Sequence, residues 1–178
     1  ELYIGPSDVG TTDGSSCANA RVYTWFNTAA NWGGGAGEID PGDTVHLCGT
    51  ISGVAGAQLL KFQTSGTVGN IITLLFETGA VLEAPFFTGG AIDLNGKRYI
   101  LIDGGATCGI VNQVPIAIGL CNGIIRTTAN GTNLTYQNDS YAILQSGVPT
   151  DNEIRNIVCQ GYVRVDANDN GHAPDGVG

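Results

Sequence analysis

Apolar residues recur at every second position in short runs along most of this chain, and Gly, Pro or Asn separates one run from the next. The densest example is the stretch 70–105, which holds IITLLF, AVLEA, AIDL and YILID with no interval long enough for a helix. Within it Ile72, Leu74 and Phe76, and again Ile100 and Ile102, place alternate side chains on one face, as the period of a strand requires. Gly79, Pro85, Gly89, Gly90 and Gly96 mark the corners between runs. The pattern predicts strands at 2–4, 44–48, 59–63, 71–76, 80–83, 91–94, 99–103, 109–112, 123–126, 141–144, 154–159 and 162–165. One segment departs from it. Val22, Trp25, Phe26 and Ala29 recur at helical spacing and predict an amphipathic helix of about three turns over 18–32. The glycines at 33–35 end it, and Asp40, Pro41, Gly42 and Asp43 turn the chain into the first strong strand.

Hairpins would place Asn-Gly turns centrally between matched strands. Asn95-Gly96, Asn122-Gly123 and Asn130-Gly131 occur, but not in that position. What recurs is a unit of strand, short corner and strand, as ITLLFETGAVLEA, YILIDGGATCGIV and RNIVCQGYVRV. One such unit cannot bury its own apolar face, whereas stacked units can, so the repetition favours a solenoid. Each inward Val, Leu, Ile or Phe contributes about 1.5 to 3 kcal/mol on burial.

Composition narrows the setting. The 178 residues suit one domain, divided here into an N-terminal strand, loop and helix (1–43) and coils (44–178). Gly is frequent at 28 residues but without a collagen period, so it marks corners. Lys and Arg number 7 against 16 Asp and Glu; the net charge of -9 argues against nucleic-acid partners. No apolar run reaches a membrane span, and the chain opens without a basic, apolar targeting segment, so the expectation is no membrane insertion and a leader already removed. Cys17, Cys48, Cys108, Cys121 and Cys159 form no CxxC pair, and an exported, disulfide-bonded protein fits them best. Cys17 with Cys48 would tie the N-terminal segment to the first coil strand, and Cys108 with Cys121 is the natural second pair. Cys159 is then the odd one, for which another chain or further sequence is the expected mate.

The run LYIGPSD and DGSS, the helical segment, PGDTVHLCGTISG, SGTVGNIITLLFETGAVLE and GKRYILIDGG together resemble the N-terminal half of secreted right-handed parallel β-helix proteins, the pectate-lyase-like superfamily. The similarity covers most of residues 2–112, and beyond it only NIVCQGYVRV looks like a standard coil. It implies an all-β, single-stranded right-handed parallel β-helix whose N-terminal amphipathic helix caps the open end of the stack. The C-terminal end shows no cap, so continuation past residue 178 or a covering partner is expected there.

Candidate chemistry is concentrated near that end. Asp166, Asn168 and Asn170 precede Gly171 with the alternate oxygen spacing that begins a calcium loop; Val177 stands where the bidentate carboxylate belongs, so Asp169 or Asp175 would have to substitute, and the missing ligand favours an Asx-rich corner instead. His172 and Asp175 are spaced as a base and its orienter, and HAPDGVG is similar to Asp-Gly turns that carry acidic groups in some β-helix glycoside hydrolases. Among the basic groups Lys61, Lys97, Arg98, Arg126, Arg155 and Arg164, the pair Arg155 and Arg164 is best placed to neutralise an acidic sugar; solvated strand faces are the alternative. His46 alternates with Val45 and Leu47 and should face outward as a surface residue. Trp25, Trp32, Tyr136, Tyr141 and Tyr162 can stack on sugar rings, with Trp25 better suited to the cap core. Asn130, Asn133 and Asn138 head three sequons, used only if the source glycosylates.

Two functions follow as expectations. The first, carried chiefly by the resemblance, is a secreted carbohydrate-active protein that binds a polysaccharide along an outer face and cleaves it by calcium-assisted elimination or acid/base hydrolysis. The second is a non-catalytic structural or adhesive β-helix that self-associates through its coil ends or through Cys159.

Overall fold

The computed structural model describes residues 1–105, 110–111, 114–115, 122–131, 134–147 and 149–161. In chain order its strands are β1 (Leu2–Gly5), β2 (Arg21–Val22), β3 (Thr44–Leu47), β4 (Thr50–Ser52) and β5 (Leu60–Lys61). Next come β6 (Ile72–Phe76), β7 (Val81–Ala84), β8 (Ile92–Asp93), β9 (Ile100–Asp103), β10 (Ile110–Val111) and β11 (Val114–Pro115). The last are β12 (Ile124–Thr127), β13 (Ile143–Leu144), β14 (Glu153–Arg155) and β15 (Val158–Gln160).

The protein is all-β among the described residues, and three sheets hold every strand except the antiparallel pair β10 and β11. The first sheet runs β14-β9-β6-β3-β1-β2, the second β15-β12-β7-β4 and the third β13-β8-β5. Every pairing within them is parallel. From β3 to β9 the chain visits the sheets in rotation, so strands paired within a sheet lie about thirty residues apart. A parallel neighbour needs a long crossover; here the crossover is made of the other two sheets instead of a helix.

Register aligns the inward side chains into rows. Leu2, Val45, Leu74, Ile102 and Ile154 form one row of the first sheet. Ile51, Leu82 and Ile125 form a second in the second sheet, followed by Cys159 on β15. Leu60, Ile92 and Ile143 form the third. One core cluster draws on all three rows. Val45, Leu74 and Ile102 are fully buried, whereas Ile154 is 36 % exposed, because among the described residues no strand lies beyond β14.

The expected helix over 18–32 is absent. Three 3₁₀ turns take its place, Cys17–Asn19, Tyr23–Trp25 and Ala29–Asn31, the first parted from the second by the extended pair of β2. The helical spacing of the aromatics is outweighed by the backbone: Ala20 and Val22 are extended, and Arg21 and Val22 pair with β1. Asn27, Thr28 and Asn31 are weak helix formers. The covering role survives without the helix. Phe26 and Trp32 are buried, and Phe26 meets Phe62 edge-on at 5.1 Å. Asn27 serves the free edge of β5, donating to the Leu59 carbonyl at 2.8 Å and accepting the Lys61 N–H at 2.8 Å, as a neighbouring strand would.

Other corrections are local. Strand β4 was hidden in a Thr-Ile-Ser run with a single inward side chain. The run 154–159 is two strands in different sheets, because Asn156 takes a left-handed conformation (φ 59°) and turns the chain between them. Of the run 109–112 the described residues are Ile110–Val111, which form β10 and pair antiparallel with β11. His46 does point outward but is buried at 7 % exposure, because Tyr3 stacks on its ring at 4.1 Å. The 162–165 strand lies outside the described residues.

Candidate functional site

The outer face of the second sheet carries a polar row. Ser52, Glu83, Arg126 and Gln160 occupy consecutive strands in register, one strand spacing apart. Each follows an inward residue, Ile51, Leu82, Ile125 or Cys159, so the alternation that buries one row presents the other. The Ser52 hydroxyl donates to Glu83 Oε1 at 2.7 Å, while Arg126 donates to Oε2 from Nε at 2.8 Å and from Nη2 at 2.6 Å. The hydrogen bond from Ser52, opposed by partial burial and reinforced by Arg126, holds the Glu83 carboxyl below its usual pKa. Such a carboxylate accepts hydrogen bonds and does not act as a general acid at neutral pH.

Beyond β7 the chain reaches an aromatic pair at the adjoining corner. Phe86 and Tyr136 lie 4.9 Å apart with their planes tilted by 54°. Phe86 follows Glu83 by three residues, or about 10 Å along an extended chain. Gly56, whose left-handed backbone (φ +78°) side chains rarely adopt, donates its N–H to the Phe86 carbonyl at 3.0 Å. Tyr136 is held against the corner by its N–H to the Ala129 carbonyl at 3.0 Å. The loop between them closes on Asn130, whose Nδ2 donates to the Asn138 carbonyl at 2.8 Å and whose Oδ1 accepts the Asn138 N–H at 2.9 Å.

A second polar node lies on the outer face of the first sheet. Asp103 accepts from Arg155 at 2.8 and 2.7 Å, from Asn156 Nδ2 at 2.9 Å and from the Gly105 N–H at 2.9 Å. Burial pushes its carboxyl up, but the hydrogen bonds from Arg155, Asn156 and Gly105 outweigh burial and leave it below the usual value. Asp103 in turn raises the Arg155 pKa.

The expected site residues are distributed as follows. Arg155 is engaged by Asp103 and by Glu153 at 3.3 Å. Lys61 lies 3.8 Å from the buried Asp93, so three of the coil cations, Lys61, Arg126 and Arg155, face carboxylates. Arg164, Asp166, Asn168, Asp169, Asn170, His172, Asp175 and Tyr162 lie outside the described residues, as do Asn133, Cys108 and Cys121. Trp25 is half-buried at the edge of the core, with the Arg21 guanidinium 4.3 Å over its ring. Trp32 is core, its Nε1 donating to the Phe26 carbonyl at 2.6 Å. The Cys17–Cys48 disulfide is formed, with Cα atoms 5.6 Å apart. Cys159 packs partly against the core, and burial pushes its thiol up. Ser52, Glu83 and Phe86 went unrecognised in sequence. Aligning the runs at a period of about thirty residues would have placed Ser52 and Glu83 in one column, whereas Arg126, 43 residues after Glu83, falls out of that period.

Among the described residues no three His, Cys, Asp or Glu side chains converge to hold a metal, and no helix is long and apolar enough to cross a membrane. No protein family matches this chain, and no curated protein or solved structure matches it either.

Proposed function

We propose that this chain is a secreted right-handed parallel β-helix of pectate-lyase-like type that binds a polysaccharide on the outer face of its second sheet. Rotation of the chain through three parallel sheets supports the solenoid, and the strong preference of parallel crossovers for one hand supports right-handedness. The observation that carries binding is the conjunction of the Ser52–Glu83–Arg126–Gln160 row with the Phe86–Tyr136 pair. Strands repeat every 4.7 to 4.9 Å, a step comparable with one sugar residue, so successive strands offer successive hydroxyls the same polar face. Aromatic rings cover the apolar faces of sugars, and Arg and Glu satisfy their hydroxyls in plane.

Cleavage and calcium belong to this proposal only through the segment that holds Asp166, His172 and Asp175. The described part of the surface supplies recognition. A structural role by end-to-end assembly is the second reading, favoured by the exposure of all three residues of β14.

The test is affinity electrophoresis of the purified chain through gels holding soluble neutral or acidic polysaccharides, with its sedimentation measured in parallel. A monomer retarded by one polysaccharide class is expected, with Tyr136→Ala weakening retardation by roughly tenfold or more. No retardation by any glycan, or retardation indifferent to Tyr136→Ala and Arg126→Ala, would sink the reading. Assembly without retardation would favour the structural role.

A further inference from the structure

A cluster on the outer face of the first sheet, apart from the polysaccharide face, is arranged around His46. The residue is 7 % exposed, and Tyr3 covers its ring with the planes 10° apart. Nδ1 stands 2.6 Å from Glu77 Oε1. A carboxylate accepts, so Nδ1 carries the hydrogen, and in the neutral tautomer of that ring Nε2 presents a lone pair. That nitrogen is buried and has no hydrogen-bond partner. Glu1 Oε2 lies 3.9 Å from it. Two acceptors facing one another at this distance call for a proton, a water or a metal cation between them.

We propose that His46 Nε2 and Glu1 Oε2 bind a divalent transition cation of the zinc class, with Glu77 orienting the imidazole. A histidine that ligates a metal regularly donates its other ring N–H to a carboxylate, and the His46–Glu77 contact has that form. Two bonds of about 2.1 Å each span at most roughly 4.2 Å, so one ion reaches both atoms across the observed gap. Glu1 is 72 % exposed on its side chain and is free to bend toward a tetrahedral angle. An entry route adjoins the cluster. Glu1 also lines a cleft of about 450 Å³ with Glu38, Asp40 and Asp43, which draws cations toward it. With two protein donors the site is open, and water completes the coordination. An imidazole ligand selects zinc, copper or nickel over calcium, which separates this site from the oxygen-rich tail.

The experiment is isothermal titration of the chelator-stripped full chain with Zn²⁺ near neutral pH, beside long-range ¹H–¹⁵N spectra of the imidazoles. One Zn²⁺ per chain is expected, with the His46 Nε2 resonance shifting while Nδ1 keeps its proton. His46→Gln and Glu1→Gln should each weaken binding at least about tenfold, and Glu77→Gln by about tenfold. His172→Gln should leave it unchanged, and Ca²⁺ should not compete. Because Glu1 is exposed, Glu1→Gln tests the site in a folded chain. Absence of Zn²⁺ binding, binding that survives both His46→Gln and Glu1→Gln, or a His46 ring protonated on both nitrogens and blind to Zn²⁺ would each overturn the proposal.

Discussion

Single residues here act through the partners that the strand register gives them. Asp103 is the clearest case, since Arg155, Asn156 and Gly105 all donate to one carboxylate. Its folded pKa lies below the unfolded value near 3.9. The sign follows from linkage: the stabilisation is complete above the unfolded value and disappears as pH falls through the lowered folded one. Glu83 acts in the same direction through Ser52 and Arg126. Asp103→Asn should therefore lower the urea midpoint clearly at pH 7 and by less at an acid pH below the usual carboxylate range, as the wild-type carboxyl takes up its proton. Equal losses at the two pH values would mean that the side chain matters by its shape and not by its charge. The same hub explains Asn156, whose left-handed backbone is tolerated because its amide reaches Asp103.

At the scale of elements, the long alternating strands were legible, whereas the two- and three-residue strands β2, β4 and β11 and the connections were not. Alternation in 72–76 and 100–103 announced β6 and β9, because an inward row of β-branched and aliphatic residues has only one way to face a core. Segment 17–32 misled for a physical reason: helical spacing of aromatics is weak information when Arg21 and Val22 find backbone partners in β1. The polar row of the second sheet was invisible for another, since Ser52, Glu83 and Arg126 become neighbours only once their strands are stacked. Asn27 shows what replaces a helix at an open edge. Its amide pairs with both Leu59 and Lys61, so Asn27→Ala would leave an acceptor and a donor of the β5 edge unsatisfied, at a cost of about 1 to 3 kcal/mol. Urea unfolding of the variant measures it. A loss below a few tenths of a kcal/mol would show that water satisfies that edge unaided.

Over the whole molecule, the proposed stack makes stability a matter of neighbours, each coil holding the next and the ends most in need of help. The Cys17–Cys48 bridge bears on one end. It joins the turn before β2 to the residue after β3, across a sequence separation of 31, and the Cys48 N–H also donates to the Ile4 carbonyl at 2.8 Å. A crosslink closing such a loop contributes about 3 to 4 kcal/mol in the chain-entropy model. In a globular core that loss would be shared by every element, whereas in a stack it falls first on β1, β2 and the aromatic cover formed by Phe26 and Trp32. Replacing both cysteines by Ala should therefore strip hydrogen-exchange protection from the amides of β1 and β2. Protection at Ile124, Ile125 and Val158, on the two strands of the second sheet farthest from β4, should persist until denaturant unfolds the rest. Uniform loss across all three sheets would instead identify the chain as one cooperative unit, and the end-to-end picture of its stability would have to be abandoned.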